Sequence, residues 1–190
     1  MIGTLPGSLE IGGEFYAINA DFRTALTIFE AFDDPELDER EKALAALMCL
    51  FEDWNEIPPE MHEEAVKQAF WFLNGGDMPK TVSDVKLIDW EQDERLIFPA
   101  VNRAAGCEVR AVGYMHWWTF LGYFSVIGEG LFSEIIHIRR KRAQGKPLDK
   151  TESEFLRSHR ELIDFKKRLT AEQMQAEAED EAFLKELLGE

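Results

Sequence analysis

His116 is the residue whose type and setting could most readily do chemistry, because it stands directly before Trp117 and Trp118. An imidazole walled by aromatic rings can act as a general base. The same three residues can instead form a rigid helical core in which the indole N–H groups find hydrogen-bond partners. A base needs a nucleophile or a substrate, and no serine or cysteine lies in a nucleophile-elbow context. Gly12-Gly13 and Gly128-Glu129-Gly130 match neither dinucleotide nor nucleotide loops. His116, Trp117, Trp118 and Phe120, with Trp90, are therefore read as structural core.

Glu134 and His137 have the E-x-x-H spacing that places both on one helix face, as carboxylate-bridged di-metal bundles require. Such a centre needs a second E-x-x-H from another helix, and the sequence has none, so no metal is expected. His62 sits in an acidic stretch and is expected to be solvated, while His137 and His159 fall on helices among charges. The acidic runs, such as Asp33-Asp34, Asp38-Glu39 and Glu63-Glu64, lack a calcium-loop pattern and read as solvated surface. No catalytic, cofactor or metal residue is assigned. The chain reads as a binding protein and not an enzyme.

The 190 residues suffice for one domain with a real core, and 45% hydrophobic against 31% charged residues excludes a wholly disordered chain. A net charge of −16 is repelled by nucleic-acid phosphate and by anionic membranes, so neither is an expected partner. Cys49 and Cys107 lie among apolar or small residues without C-x-x-C spacing. They are expected to be buried thiols in a reducing compartment. The first seven residues lack a basic start followed by an apolar run, so no signal peptide is expected. The longest apolar stretch, residues 115–132, is broken by glycines and Glu129 and reads as buried helix rather than a membrane span. A cytosolic protein is expected.

The elements that must carry these residues are mostly helices. Leu9-Glu10-Ile11 and residues 14–18 flank Gly12-Gly13, which can take the positive φ values of a tight hairpin. A lone hairpin is only marginally stable, so its apolar side chains must rest on the following helices or on a neighbouring copy. Asn19 or Asp21 can cap a first helix reaching about Phe32. A second is expected over residues 38–54, and a third opens at Pro58-Pro59 and stops at Asn74-Gly75-Gly76, with Val66, Ala69, Phe70, Phe72 and Leu73 inward. Residues 77–89 read as a loop or hinge. A fourth helix is expected from Trp90 to Gly106, with Pro99 kinking or splitting it. The apolar segment follows, and then a helix to Gly145 whose basic end, Arg139 to Arg142, offsets the helix dipole.

A final helix is expected after Pro147, capped by Asp149 or Thr151, with Thr151 and Glu154 at capping-box spacing. Phe155, Leu162, Leu169, Ala176 and Phe183 recur every seven residues and make a narrow apolar stripe. The positions that would complete a coiled-coil seam are mostly polar (His159, Lys166, Gln173, Asp180). From Ala171 the chain is almost all Glu, Ala, Gln and Asp until Phe183-Leu184 and Leu187-Leu188. That is either a solvated linker ending in an apolar docking segment or one frayed helix. Candidate partner-binding residues are Phe155, Leu162, Leu169, Phe183, Leu184, Leu187 and Leu188. The expected fold is mainly α, with six to seven helices, a short N-terminal β-hairpin and a long C-terminal helix or tail. Its parts are a hairpin arm (1–20), a helical domain (21–170) and an acidic helical tail (171–190).

Several stretches together resemble the bacteriophage Gp15 family. They are the hairpin running into Asp21-Phe22-Arg23, the element Asp89-Trp90-Glu91-Gln92-Asp93, the element Met115-His116-Trp117-Trp118-Thr119-Phe120, and the helix end Ile135-Ile136-His137-Ile138-Arg139. In matching order they span most of residues 9–165, and the acidic tail lies outside them. The resemblance implies a tail assembly chaperone of long-tailed phages or prophages. Such a protein would coat the long, helical, apolar tape measure protein in the host bacterial cytoplasm and be absent from the virion. It would also self-associate, so that many copies cover the client. Two other classes stay open: a structural tail or connector component retained in the virion, and a prophage-encoded regulator of a host protein.

Overall fold

Gly12 and Gly13, at φ 60° and 89°, turn strand β1 (Ser8–Ile11) back on β2 (Glu14–Ala17) in an antiparallel pair with Ile11 opposite Glu14. Both torsions are positive, as a type I′ turn demands. The computed structural model describes residues 3–78, 85–176 and 178–179. Leu9 and Ile11 bury one face of the hairpin, and Met61 closes against Gly12. Past β2 the chain pairs at Ile18 with Phe51, which ties the hairpin to the end of the second helix.

Helix α1 (Phe22–Asp33) starts at Asp21, whose carboxylate accepts the Arg23 N–H. Helix α2 (Glu39–Leu50) starts at Asp38 with a reciprocal bond to Glu41, a complete capping box. It ends at Leu50, four residues before the expected limit, because Phe51 turns extended to bridge Ile18. Pro59–Met61 forms a 3-10 turn leading into α3 (His62–Leu73). Helix α4 (Glu94–Ala105) carries Pro99 and ends on left-handed Gly106, and Trp90 lies in the turn ahead of it. Then come α5 (Trp117–Ser125), α6 (Leu131–Ala143), α7 (Lys150–Ser158) and α8 (Arg160–Ile163). The fold is mainly α with a short N-terminal hairpin, as expected.

The core gathers Phe22, Ile28, Leu50, Phe51, Phe72, Val101, Trp117 and Phe120, all but inaccessible. Phe22 stacks flat on Phe120 at 4.8 Å, and Trp117 stacks on Phe120 at 5.6 Å. A smaller cluster of Ile135, Ile138 and Ile163 is covered by Phe155 and Leu156.

Several expectations need correction. Among the described residues the long C-terminal helix is not continuous. Helix α7 stops at Ser158, α8 spans a single turn, and the chain runs without regular structure from residue 164 to 170. The break follows from Ile163 turning inward, and from its carbonyl and that of Leu162 serving as acceptors for Arg139. Of the two expected caps of α7 it is Asp149 that serves, in a capping box with Glu152, two residues ahead of the Thr151–Glu154 pair. Phe70 faces outward at 41% exposure, although its ring stacks on Phe32. Cys107 is exposed and Cys49 only partly covered, because Cys107 follows the left-handed Gly106 that ends α4. Of the expected hinge, residues 79–84 lie outside the described residues, as do residue 177 and residues 180–190 of the tail. No helix among the described residues is long and apolar enough to cross a membrane.

Candidate interaction site and the motifs that frame it

The His-Trp-Trp element joins two helices end to end. His116 is the N-cap of α5: its Nδ1 accepts the Trp118 backbone N–H at 3.0 Å. Its Nε2 lies 3.0 Å from the Pro6 carbonyl oxygen, so Nε2 carries the proton in this arrangement. The indole of Trp117 donates to the Leu73 carbonyl at 2.9 Å and that of Trp118 to the Phe72 carbonyl at 2.8 Å. These are among the last carbonyls of α3, which have no partner within their own helix. The glycine pair after α3 makes the approach possible, since a Cβ on Gly76 would come within 2.9 Å of Trp118. His116 is thus a capping group with both ring nitrogens occupied. His116→Ala should cost about 1 kcal/mol through loss of the cap, and His116→Asn, a strong capping residue, should cost less in urea unfolding.

The Asp-Phe-Arg helix start lies against the same element. Asp21 bridges His116, its second carboxylate oxygen accepts the Met115 N–H at 3.0 Å, and Trp117 N–H donates to the Ala20 carbonyl. Arg23 reaches on to the Arg110 and Val112 carbonyls at 3.0 and 2.7 Å. Segments about ninety residues apart in the chain (|i−j| of 94 for Asp21–Met115) therefore meet through backbone and capping groups.

The other two motifs meet at Arg139. This guanidinium is 4% exposed as a residue, and each of its five N–H donors has an acceptor. Two go to the two oxygens of Asp93 at 2.6 and 2.9 Å, and the others to the carbonyls of Leu87, Ile163 and Leu162. The Phe165 ring covers the group at 4.1 Å. Arg139 therefore does not serve the helix dipole, as its place in a basic run suggested. It is the knot between α6, the turn before α4 and the C-terminal segment. Asp89 lies beside it, bonded to the Gln92 N–H, Lys86 and Arg168 at 2.9–3.0 Å.

Burial works against the Asp89 carboxylate, but those hydrogen bonds and cations outweigh it and hold its pKa at about 2. A folded pKa below the unfolded one gives stabilisation that is present above about pH 4 and lost as pH falls through about 2. The stability difference between wild type and Asp89→Asn should accordingly shrink across that window, as read by urea unfolding at several pH values. A difference that stays constant would contradict this assignment.

The other histidines also have partners. His62 Nε2 is 3.2 Å from the Ile57 carbonyl, so it is half-buried rather than solvated. His137 lies 2.8 Å from Glu152, not beside Glu134 in a metal set, and His159 stacks on Phe155 at 4.3 Å. Among the described residues, no group of three His, Cys, Asp or Glu is placed to hold a metal ion.

Among the open grooves, one of about 950 Å³ lies along residues 157–166 and includes Leu162, and another runs along the outer side of α1. A cleft of about 290 Å³ is lined by Phe22, Leu26, Trp90 and Phe98, with Glu30, Glu91 and Glu94 at its rim. A wider groove of about 790 Å³ adjoins it, bordered by Ala31, Pro35 and Leu37 on one side and Arg168, Leu169 and Met174 on the other. Thr27, Glu30 and Glu91 line both. Together they follow the twelve residues of α1, roughly 18 Å at 1.5 Å per residue.

The candidate partner residues are scattered relative to this groove. Leu169 lines it, Leu162 is exposed elsewhere, and Phe155 is half-buried against the small second core. Phe183, Leu184, Leu187 and Leu188 lie outside the described residues. The groove itself was not legible in the sequence. Trp90 reads as structural core, and nothing local marks a helix side left partly uncovered.

A hairpin feeding a helical body, with paired motifs knotting its ends, defines a mainly α protein. The chain belongs to the family described as Bacteriophage Gp15 protein, whose family model matches residues 1–165. No curated protein and no solved structure matches the chain.

Proposed function

We propose that this protein is a tail assembly chaperone, which binds the helical tape measure protein and keeps it soluble in the host bacterial cytoplasm until the tail tube closes around it. The observation that carries this reading is the open α1 groove, with apolar side chains flanked by both acidic and basic ones, on a member of a bacteriophage family. A groove of that length suits about three turns of an amphipathic helix, which docks through side chains at i, i+3, i+4 and i+7. The net charge of −16 supports solubility of a coated client. Covering a long client takes many copies, so the protein works as a homo-oligomer on it. The role is binding without a cofactor, and anionic nucleic acid and membrane surfaces are not the partners.

Co-expression with the phage's tape measure protein tests the proposal. The client should become soluble and co-purify. Thr27→Arg should abolish both effects, because exposed Thr27 lies where the two parts of the groove join. A client that stays insoluble with the wild-type chain would sink the reading. Mass spectrometry of purified virions should find the protein missing, and stoichiometric presence would favour a structural tail or connector component instead.

A further inference from the structure

Residues 166–174 run along one wall of the α1 groove, and they lie past residue 165, where the family match ends. The opposite wall, from Thr27 to Leu37, lies inside the matched region. The added segment presents a cation followed by apolar groups. Arg168 is 3.0 Å from Asp89, 3.0 Å from Glu91 and 3.7 Å from Asp33, while Leu169 and Met174 border the groove opposite Ala31, Pro35 and Leu37.

The segment is fastened very differently on the two sides of Phe165. Before it, Ile163 is buried and the Leu162 and Ile163 carbonyls are locked by Arg139. After it, the polar contacts with the body among the described residues all run through body side chains. Lys166 N–H donates to Gln92 at 2.8 Å, Ala171 N–H donates to Glu36, and Arg168 pairs with its three carboxylates. Arg168 is 27% exposed and Glu91 66%, so that pair is open to screening by salt, whereas the Asp89 carboxylate, 4% exposed, is shielded. The segment can therefore swing away after Phe165 while the knot stays tied.

We propose that the α1 groove takes a basic amphipathic segment, an arginine or lysine followed by leucine- or methionine-like side chains, and that residues 166–174 hold that place in cis until a client displaces them. This rests on the groove-binding reading above and adds the chemistry of the client. When Arg168 leaves, Lys86 is the cation partner that Asp89 keeps among the described residues, and Asp33 likewise. An incoming segment must then bring a positive charge to the same carboxylates. Glu30 and Asp34 favour the same sign, while Arg23 and Arg110, the latter 3.8 Å from Glu94, mark the far end of the cleft with the opposite charge.

The test uses a labelled synthetic peptide of this chain's own residues 164–176 and the full-length protein, with no tape measure protein present. In fluorescence anisotropy, Arg168→Glu should bind the peptide at least about tenfold more tightly than wild type, because its own segment is repelled from the site. Leu169→Asp, which frees the segment from its apolar side, should show the same gain. Raising salt should weaken binding, and adding Glu91→Lys to either variant should remove the gain. Equal binding by wild type and both variants, or none by any, would overturn the inference. The peptide result stands apart from the client-solubility result, so failure of either is distinguishable from failure of the other.

Discussion

Arg139→Met should lower the free energy of unfolding by about 3–5 kcal/mol, the usual cost of removing one partner of a buried ion pair. The Asp93 carboxylate, 1% exposed as a side chain, would lose both hydrogen bonds from Arg139. The Leu87, Leu162 and Ile163 carbonyls would also lose their donor. Much of that loss comes from stranding Asp93, and not from the net worth of the pair. The double variant Arg139→Met with Asp93→Leu should therefore recover a large part of the stability in urea unfolding. A single variant within about 1 kcal/mol of wild type would show that the knot is not needed.

Trp117→Ala should destabilise by a similar amount, about 3–5 kcal/mol, and Trp117→Phe by much less. The indole is fully buried, stacks on Phe120, and touches Phe29 and Trp90 at 5.8 and 5.9 Å. Alanine would leave a cavity where four aromatic side chains converge, and would leave the Leu73 carbonyl without its donor. Phenylalanine keeps most of the packing and loses only the hydrogen bond, worth roughly 1 kcal/mol plus some desolvation. Thermal unfolding of the pair separates the two contributions.

The elements that could be read along the chain are those set by local chemistry. Gly12-Gly13 demanded a hairpin, Asp21 supplied a cap, and Gly75-Gly76 stopped α3, each within a few residues of its cause. The misread features depend on distant partners. Arg139 looked like one of four basic residues at a helix end, and only its meeting with Asp93, |i−j| of 46, makes it a core residue. The seven-residue spacing from Phe155 to Leu169 suggested one helix, but Arg139 draws the Leu162 and Ile163 carbonyls inward and ends it. The groove was hidden for the same reason, since an uncovered helix side is a property of the whole packing.

Trp90 belongs at once to the groove and to the aromatic core. It lines the cleft beside α1, and its ring lies 5.6 Å from Phe29 and 5.9 Å from Trp117. Trp71 and Trp118 form a second close indole pair, 5.3 Å apart. Indoles this close couple their electronic transitions, so the native protein should show strong bands in near-ultraviolet circular dichroism. A ligand entering the groove should alter the contribution of Trp90, and a Trp90→Phe variant, which retains the Trp71–Trp118 pair, should lose that response. The protein thereby carries its own optical reporter, able to distinguish occupancy of the groove from loss of the fold.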